Sequence, residues 1–184
     1  RFEILIAAYC AFMLKIKIAH IHGGEKTKGS LDDQIRHCIS KLSNYHFVVH
    51  DNYKKRLVQL GENSTNIFNY GSLSSEEITK IKMLSKNEVL KKNNISDFKD
   101  FVLVSYHPLG IPPLEEKKKV SVLLKTLAQF KKLRFIITSP NSDQNFEIIN
   151  KEIKKITKLN KNFVFIKSLG WDSYVNLMKY SKFN

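Results

Sequence analysis

Two apolar runs, Phe101-Val102-Leu103-Val104-Ser105-Tyr106 and Phe135-Ile136-Ile137-Thr138, constrain the fold more than any other feature of this chain. They are continuous rather than alternating, the pattern of strands buried on both faces, and such strands belong to parallel sheets covered by helices. Strands are predicted over residues 17–21, 45–49, 66–70, 101–106, 134–138 and 162–166. Between them the apolar spacing predicts helices over 31–43, 52–60, 75–82, 86–92, 114–132 and 143–159, with others at 2–15 and 171–180. Parallel neighbours need a crossover of a dozen residues or more, usually a helix, so this alternation predicts βαβ units and an α/β fold. Helix 2–15 is apolar all round and is expected to be well buried. Helix 31–43 carries a narrow stripe of Leu31, Ile35, Ile39 and Leu42.

The stretch from Ser72 to Asp100 is polar and rich in Lys and Asn, and it separates three strands from three. It divides the chain into two Rossmann-like halves, 1–73 and 74–184. Three strands each are fewer than a doubly wound sheet normally has. Both halves are therefore expected to be incomplete at the chain ends, and these 184 residues alone are expected to be inactive.

The net charge is +14, which first suggests nucleic acid. Yet only four of the 31 basic residues are Arg (Arg1, Arg36, Arg56, Arg134), and bidentate recognition of phosphate and bases favours Arg. The lysines are spread along helices, as in Glu115-Glu116-Lys117-Lys118-Lys119, where they read as solvated faces. An anionic small substrate suits the excess as well as a nucleic acid does. No apolar run approaches the roughly 20 residues of a membrane span. Cys10 and Cys38 lie in helix-like apolar patterns without Cys-x-x-Cys spacing and are expected to be reduced core residues of a cytoplasmic protein.

Ligands of parallel α/β sheets bind beyond the carboxyl ends of the strands. The first chemically rich end is His20-Ile21-His22-Gly23-Gly24-Glu25. His20 and His22, two apart on a strand, are expected to face the same side. Gly23 and Gly24 allow close approach of backbone to a ligand and can aim N–H groups at an anion; packed histidines beside a glycine turn are the plainer reading. Ser30-Leu31-Asp32-Asp33 has the form of a capping box, which gives Asp33 a structural role. Asp32 and Arg36, one turn apart, flank the apolar stripe and suit either a polar cleft or a surface ion pair. The second rich end is Ser105-Tyr106-His107-Pro108, where an imidazole is placed for acid–base work near neutral pH.

Ile18-Ala19-His20-Ile21-His22-Gly23-Gly24-Glu25, then Gly29-Ser30-Leu31-Asp32-Asp33-Gln34-Ile35-Arg36-His37, then Lys41-Leu42-Ser43 with His46-Phe47, resembles the hydrolysing UDP-N-acetylglucosamine 2-epimerases of sialic-acid and other nonulosonic-acid synthesis. Arg1-Phe2-Glu3, Tyr53-Lys54-Lys55-Arg56, Gln59-Leu60-Gly61-Glu62, Asn69-Tyr70-Gly71 and Tyr106-His107-Pro108 continue the resemblance over nearly the whole chain, more loosely in the second half. It implies a two-domain fold like that of type B glycosyltransferases, with 1–73 the second part of an N-terminal domain and 74–184 the first part of a nucleotide-binding one. It also implies elimination of UDP, hydration of the resulting glucal to N-acetylmannosamine, a sugar-nucleotide substrate, no cofactor and a homo-oligomer. Carried over residue by residue, Asp32 is the acid–base carboxylate, Arg36 an active-site Arg, His107 the second-domain His and Arg1 the Arg beside the nucleotide. Some relatives carry Glu where this chain has His22, so a further acid–base role falls to His22 or Glu25.

Rival readings come from other classes. His20-x-His22 with Glu25, Asp32 and His107 superficially resembles the metal site of a hydrolase. A sugar-nucleotide glycosyltransferase shares the expected fold. A basic nucleic-acid-binding module would need an aromatic RNA motif or a recognition helix, and neither is present.

Overall fold

The computed structural model describes residues 2–27, 31–96 and 99–183. Arg1 and Ser30, singled out above, lie outside the described residues. By contact density the chain forms two compact units, Arg1–Lys80 and Ile81–Asn184.

The first unit runs α1 (Phe2–Met13), β1 (Ala19–Ile21), α2 (Asp32–Leu42), β2 (Tyr45–Val48), α3 (Asp51–Gln59), a 3₁₀ turn (Ser64–Asn66), β3 (Ile67–Asn69) and α4 (Leu73–Lys80). Its three strands are parallel in the order β1-β2-β3. The second unit runs α5 (Lys86–Lys92), β4 (Phe101–Val104), α6 (Pro113–Leu127), β5 (Arg134–Thr138), α7 (Phe146–Leu159), β6 (Phe163–Ile166) and α8 (Gly170–Tyr180). It too has three parallel strands, in the order β4-β5-β6. The α/β architecture and both parallel sheets are thus as the alternation predicts.

Side chains of β4 and β5 alternate between two cores. Val102, Phe135 and Ile137 pack with Val120 and Leu124 of α6 and Ile149 and Ile153 of α7. Phe101, Leu103 and Ile136 face the other way, onto Val89 and Leu90 of α5 and Leu177 of α8. That two-sided burial is why these strands read as unbroken apolar runs.

Local chemistry sets the helix ends. Ser85 and Glu88 form a complete capping box at α5, and Pro113 opens α6, where a missing N–H costs nothing. Helix α7 starts three residues later than the expected 143, because Asn145 adopts a left-handed φ of 72° that cannot continue a helix. The expected strand 101–106 stops at Val104, which frees Ser105 to Leu109 as a loop.

Three expectations fail for one reason. Helix α1 is mostly exposed, with Ala8 its one buried residue and Leu14 beyond its end 71% exposed. Cys10 and Cys38 are free but exposed rather than in a core. Leu31 is 79% exposed at the cap of α2 instead of lying in the stripe. Apolar patterning records which surface gains from cover; in this unit the buried cluster is confined to Val48, Leu57 and Ile67. No helix among the described residues is long and apolar enough to cross a membrane.

Candidate active site

A cavity of about 730 Å³ runs along β1 to its carboxyl end, lined also by α1 and α2. Its apolar lining includes Ala7, Ala8 and Ala11 of α1 with Ile18, Ile35 and Ile39, and its polar lining is Lys17, His20, His22, Glu25, Asp32 and Arg36. Four of the residues singled out as catalytic therefore share one cavity.

They arrive there differently from the expectation. β1 ends at Ile21 and His22 takes a left-handed φ of 65°, while its N–H still donates to the Phe47 carbonyl of β2 at 2.9 Å and its ring lines the cavity with that of His20. The turn brings His22 Nδ1 to 2.7 Å from Glu25 Oε1, so these two candidates for one role act as a bonded pair. His20 instead turns to α2, with Nδ1 3.1 Å from Ser40 Oγ. Ser40 donates its hydroxyl to the carbonyl of Arg36 at 3.1 Å, which leaves His20 Nδ1 as donor and Nε2 as the nitrogen with a free lone pair. Burial, reinforced by His46 and Arg36, pushes the pKa of His20 down to about 4, so the ring is neutral near pH 7.

The capping box expected of Asp33 rests on Ser30, which lies outside the described residues. The N-cap residue is Leu31, which makes no side-chain cap bond, and Asp33 Oδ1 accepts the Thr27 N–H at 2.8 Å. Asp33 also lies 3.8 Å from Arg36 Nη1 and from His37 Nε2. Arg36 Nη1 donates to Thr27 Oγ1 at 3.2 Å, and its side chain is 11% exposed. Asp33 is thus the clamp between the 22–27 loop and α2, while Asp32, half-buried, is turned into the cavity wall.

Gly23 and Gly24 are buried and do not line the cavity. A Cβ on Gly24, at φ +75°, would fall 2.4 Å from the Tyr53 carbonyl oxygen, and one on Gly23 3.1 Å from His20 Nδ1. Arg56 Nη1 donates to the Gly24 carbonyl. Gly24 lets the loop pass under α3, and Gly23 leaves room for the His20 ring and Ser40.

In the second unit His107 is exposed on the loop after β4. Residues on both sides of it are tied down. Tyr106 O–H donates to Glu116 Oε1 at 2.8 Å, and Leu109 N–H donates to Glu116 Oε2 at 2.9 Å. Burial and this carboxylate push the Tyr106 pKa up to about 12. Glu116 is fully buried and was missed in the sequence, where Glu115-Glu116 reads as solvated. The signal was its spacing: 116, 120 and 124 form one stripe of α6, and Val120 and Leu124 are core. Among the described residues no three His, Cys, Asp or Glu side chains come together as a metal-binding group.

Two parallel sheets covered by helices, with titratable side chains clustered beside β1, place the chain in the α/β class. Residues 1–183 match the family described as UDP-N-acetylglucosamine 2-epimerase. The chain is 38% identical over 183 residues to the GDP/UDP-N,N'-diacetylbacillosamine 2-epimerase (hydrolyzing) of Campylobacter jejuni, covering 99% of this chain and 48% of that one. It is 35% identical over 182 residues to a polysialic acid biosynthesis protein of Escherichia coli, covering 98% and 46%. Among solved structures, UDP-GlcNAc 2-epimerase from Neisseria meningitidis bound to UDP-GlcNAc superimposes with a TM-score of 0.75 at 20% identity, over 96% of this chain and 49% of that one. The chain belongs to the UDP-N-acetylglucosamine 2-epimerase family and has its type B glycosyltransferase-like fold. It spans about half the length of the curated relatives it matches.

Proposed function

We propose that the complete protein is a hydrolysing 2-epimerase of a nucleotide-linked 2-acetamido sugar, UDP-N-acetylglucosamine or a diacetamido relative, serving sialic or other nonulosonic acid synthesis in the cytoplasm. The observation that carries the reading is the grouping of Asp32, Arg36 and the His22–Glu25 pair in one cavity at a parallel strand end. The two unpaired cysteines fit a reducing compartment.

The reaction needs a base at C2, stabilisation of the departing diphosphate at C1, and delivery of water to the resulting C1=C2 bond. In this reading Asp32 takes the C2 proton as the C1–O bond breaks and UDP leaves. Arg36, held by Thr27 and Asp33, offers fixed positive charge near the developing negative charge. The His22–Glu25 pair returns a proton to C2 from the opposite face while water adds its hydroxyl to C1, giving the inverted free sugar. His107 is the acid–base group contributed by the second unit, and Arg1 belongs to the nucleotide side. The sum is sugar nucleotide plus water giving UDP and the C2-inverted sugar.

The test is incubation of the complete enzyme with UDP-N-acetylglucosamine in deuterated water. Free UDP and a 2-epimeric sugar carrying deuterium at C2 are expected. UDP release without label at C2 would mean direct hydrolysis and would overturn the elimination.

A further inference from the structure

We propose that Glu116 is a positioning residue that fixes the loop presenting His107, an inference that rests on the acid–base role given to His107 above. Glu116 sits in the first turn of α6 with no exposed surface. Burying a carboxylate is costly unless its oxygens are hydrogen-bonded. Both oxygens are, and both partners lie in the His107 loop: the Tyr106 hydroxyl at 2.8 Å and the Leu109 N–H at 2.9 Å. The two bonds bracket His107-Pro108, one on each side. The loop is further fastened at its ends, where Ser105 Oγ meets Thr138 Oγ1 at 2.9 Å and Asn145 Nδ2 donates to the Ile111 carbonyl at 2.8 Å. His107 remains exposed within this otherwise fastened stretch. A core carboxylate spent on a loop, where an apolar residue would continue the Val120–Leu124 stripe, has its physical purpose in the loop's shape.

The demand is geometric rather than for charge. Gln at 116 can accept from the Leu109 N–H and donate its amide to the Tyr106 oxygen, keeping both bonds, whereas Ala keeps neither. The experiment compares Glu116→Ala, Glu116→Gln and Tyr106→Phe with His107→Ala in the complete enzyme, reading kcat, KM and the His107 imidazole NMR resonance. Glu116→Ala should lower kcat by about tenfold or more, because a misplacement near 1 Å is enough for such a loss. KM should stay within about twofold, and Glu116→Gln should restore kcat to within about threefold of the parent. On a His107→Ala background Glu116→Ala should add less than about twofold, since residues acting as a unit are not additive. The His107 resonance should shift in Glu116→Ala and return in Glu116→Gln. A folded Glu116→Ala with the parent kcat, or equal losses on both backgrounds, would overturn the proposal. If the Ala variant does not fold, Tyr106→Phe, expected to lose kcat by roughly threefold to tenfold, decides with Gln: parent-like rate in Tyr106→Phe, or loss in Gln, overturns it. A fully active His107→Ala would instead overturn the functional reading, while the resonance shift still tests the hold on the loop.

Discussion

The two units share a plan, three parallel strands in sequential order, and differ in how that plan is covered. In the second unit both faces of β4 and β5 are packed, with fully buried Phe101 and Ile136 on one side and Phe135 and Ile137 on the other. In the first unit the buried cluster is Val48, Leu57 and Ile67, and α1 leaves Phe2, Ile6, Tyr9 and Phe12 exposed. The first unit nonetheless holds the polar cavity and five of the six histidines. Core packing is concentrated in one unit and titratable chemistry in the other, and the same apolar composition has different energetic meaning in each.

The largest expected effect breaks the comparison on the chemical side. In the complete protein Asp32→Asn should lower turnover by about 10²–10⁴, the range for losing a general base. Its unfolding free energy should change by no more than a helix-terminus charge effect of about 0.3–1 kcal/mol. Asp33→Ala should do the reverse: the Thr27 N–H and Arg36 lose a partner, costing roughly 1–3 kcal/mol, while more activity survives. Steady-state UDP release and urea unfolding on both variants check this. Equal activity losses would remove the distinction between the two carboxylates.

On the packing side, Ile136→Ala removes a side chain with no exposed surface from the middle of β5 and should cost about 2–5 kcal/mol. Ile6→Ala, at a position 60% exposed on α1, should lie within about 0.5 kcal/mol in this 184-residue chain. Denaturant midpoints at unchanged slope give both values. A large loss at Ile6 would show that α1 is covered in solution.

What could be read in the sequence follows the same division. FVLVSY and FIIT are legible as strands because two-sided burial erases alternation, so the second unit's core was visible residue by residue. Helix α1 was legible as a helix but not in its exposure, since a pattern cannot report whether a covering surface is present. Asp32, Arg36, His22 and Glu25 were legible as candidates from their place after a strand end. Their geometry was not: it depends on the positive φ of His22, on a Thr27 contact from outside the helix, and on Gly24 passing within reach of Tyr53. Glu116 was hidden because local composition imitates a solvated face, and it becomes visible only when α6 is read as a stripe.

The smallest expected effect concerns acid. His20 and His46 stand opposite each other in the β1–β2 register. Burial lowers both pKa values, that of His20 to about 4 from an ordinary 6.5, and the Glu62 carboxylate, 3.3 Å from His46 Nε2, opposes the shift at His46. Both rings therefore bind protons more weakly folded than unfolded, and stability rises with pH across that interval. The contribution is complete above about pH 6.5 and is lost as the pH falls toward about 4, where His20 is charged in both states. Lowering the pH from 7 to 5 should thus loosen β1 and β2 by on the order of 1 kcal/mol, after allowance for water reaching these partly covered rings. The second unit offers no matching site, because its one histidine, His107, is exposed. Hydrogen exchange resolved by peptide, corrected for the intrinsic pH dependence, should show protection falling in residues 19–21 and 45–48 relative to 101–104 and 134–138. A His20→Asn variant should flatten that difference. Equal loosening of both sheets, or protection in the first sheet that rises with acid, would mean that the histidine pair does not set the weaker unit's response.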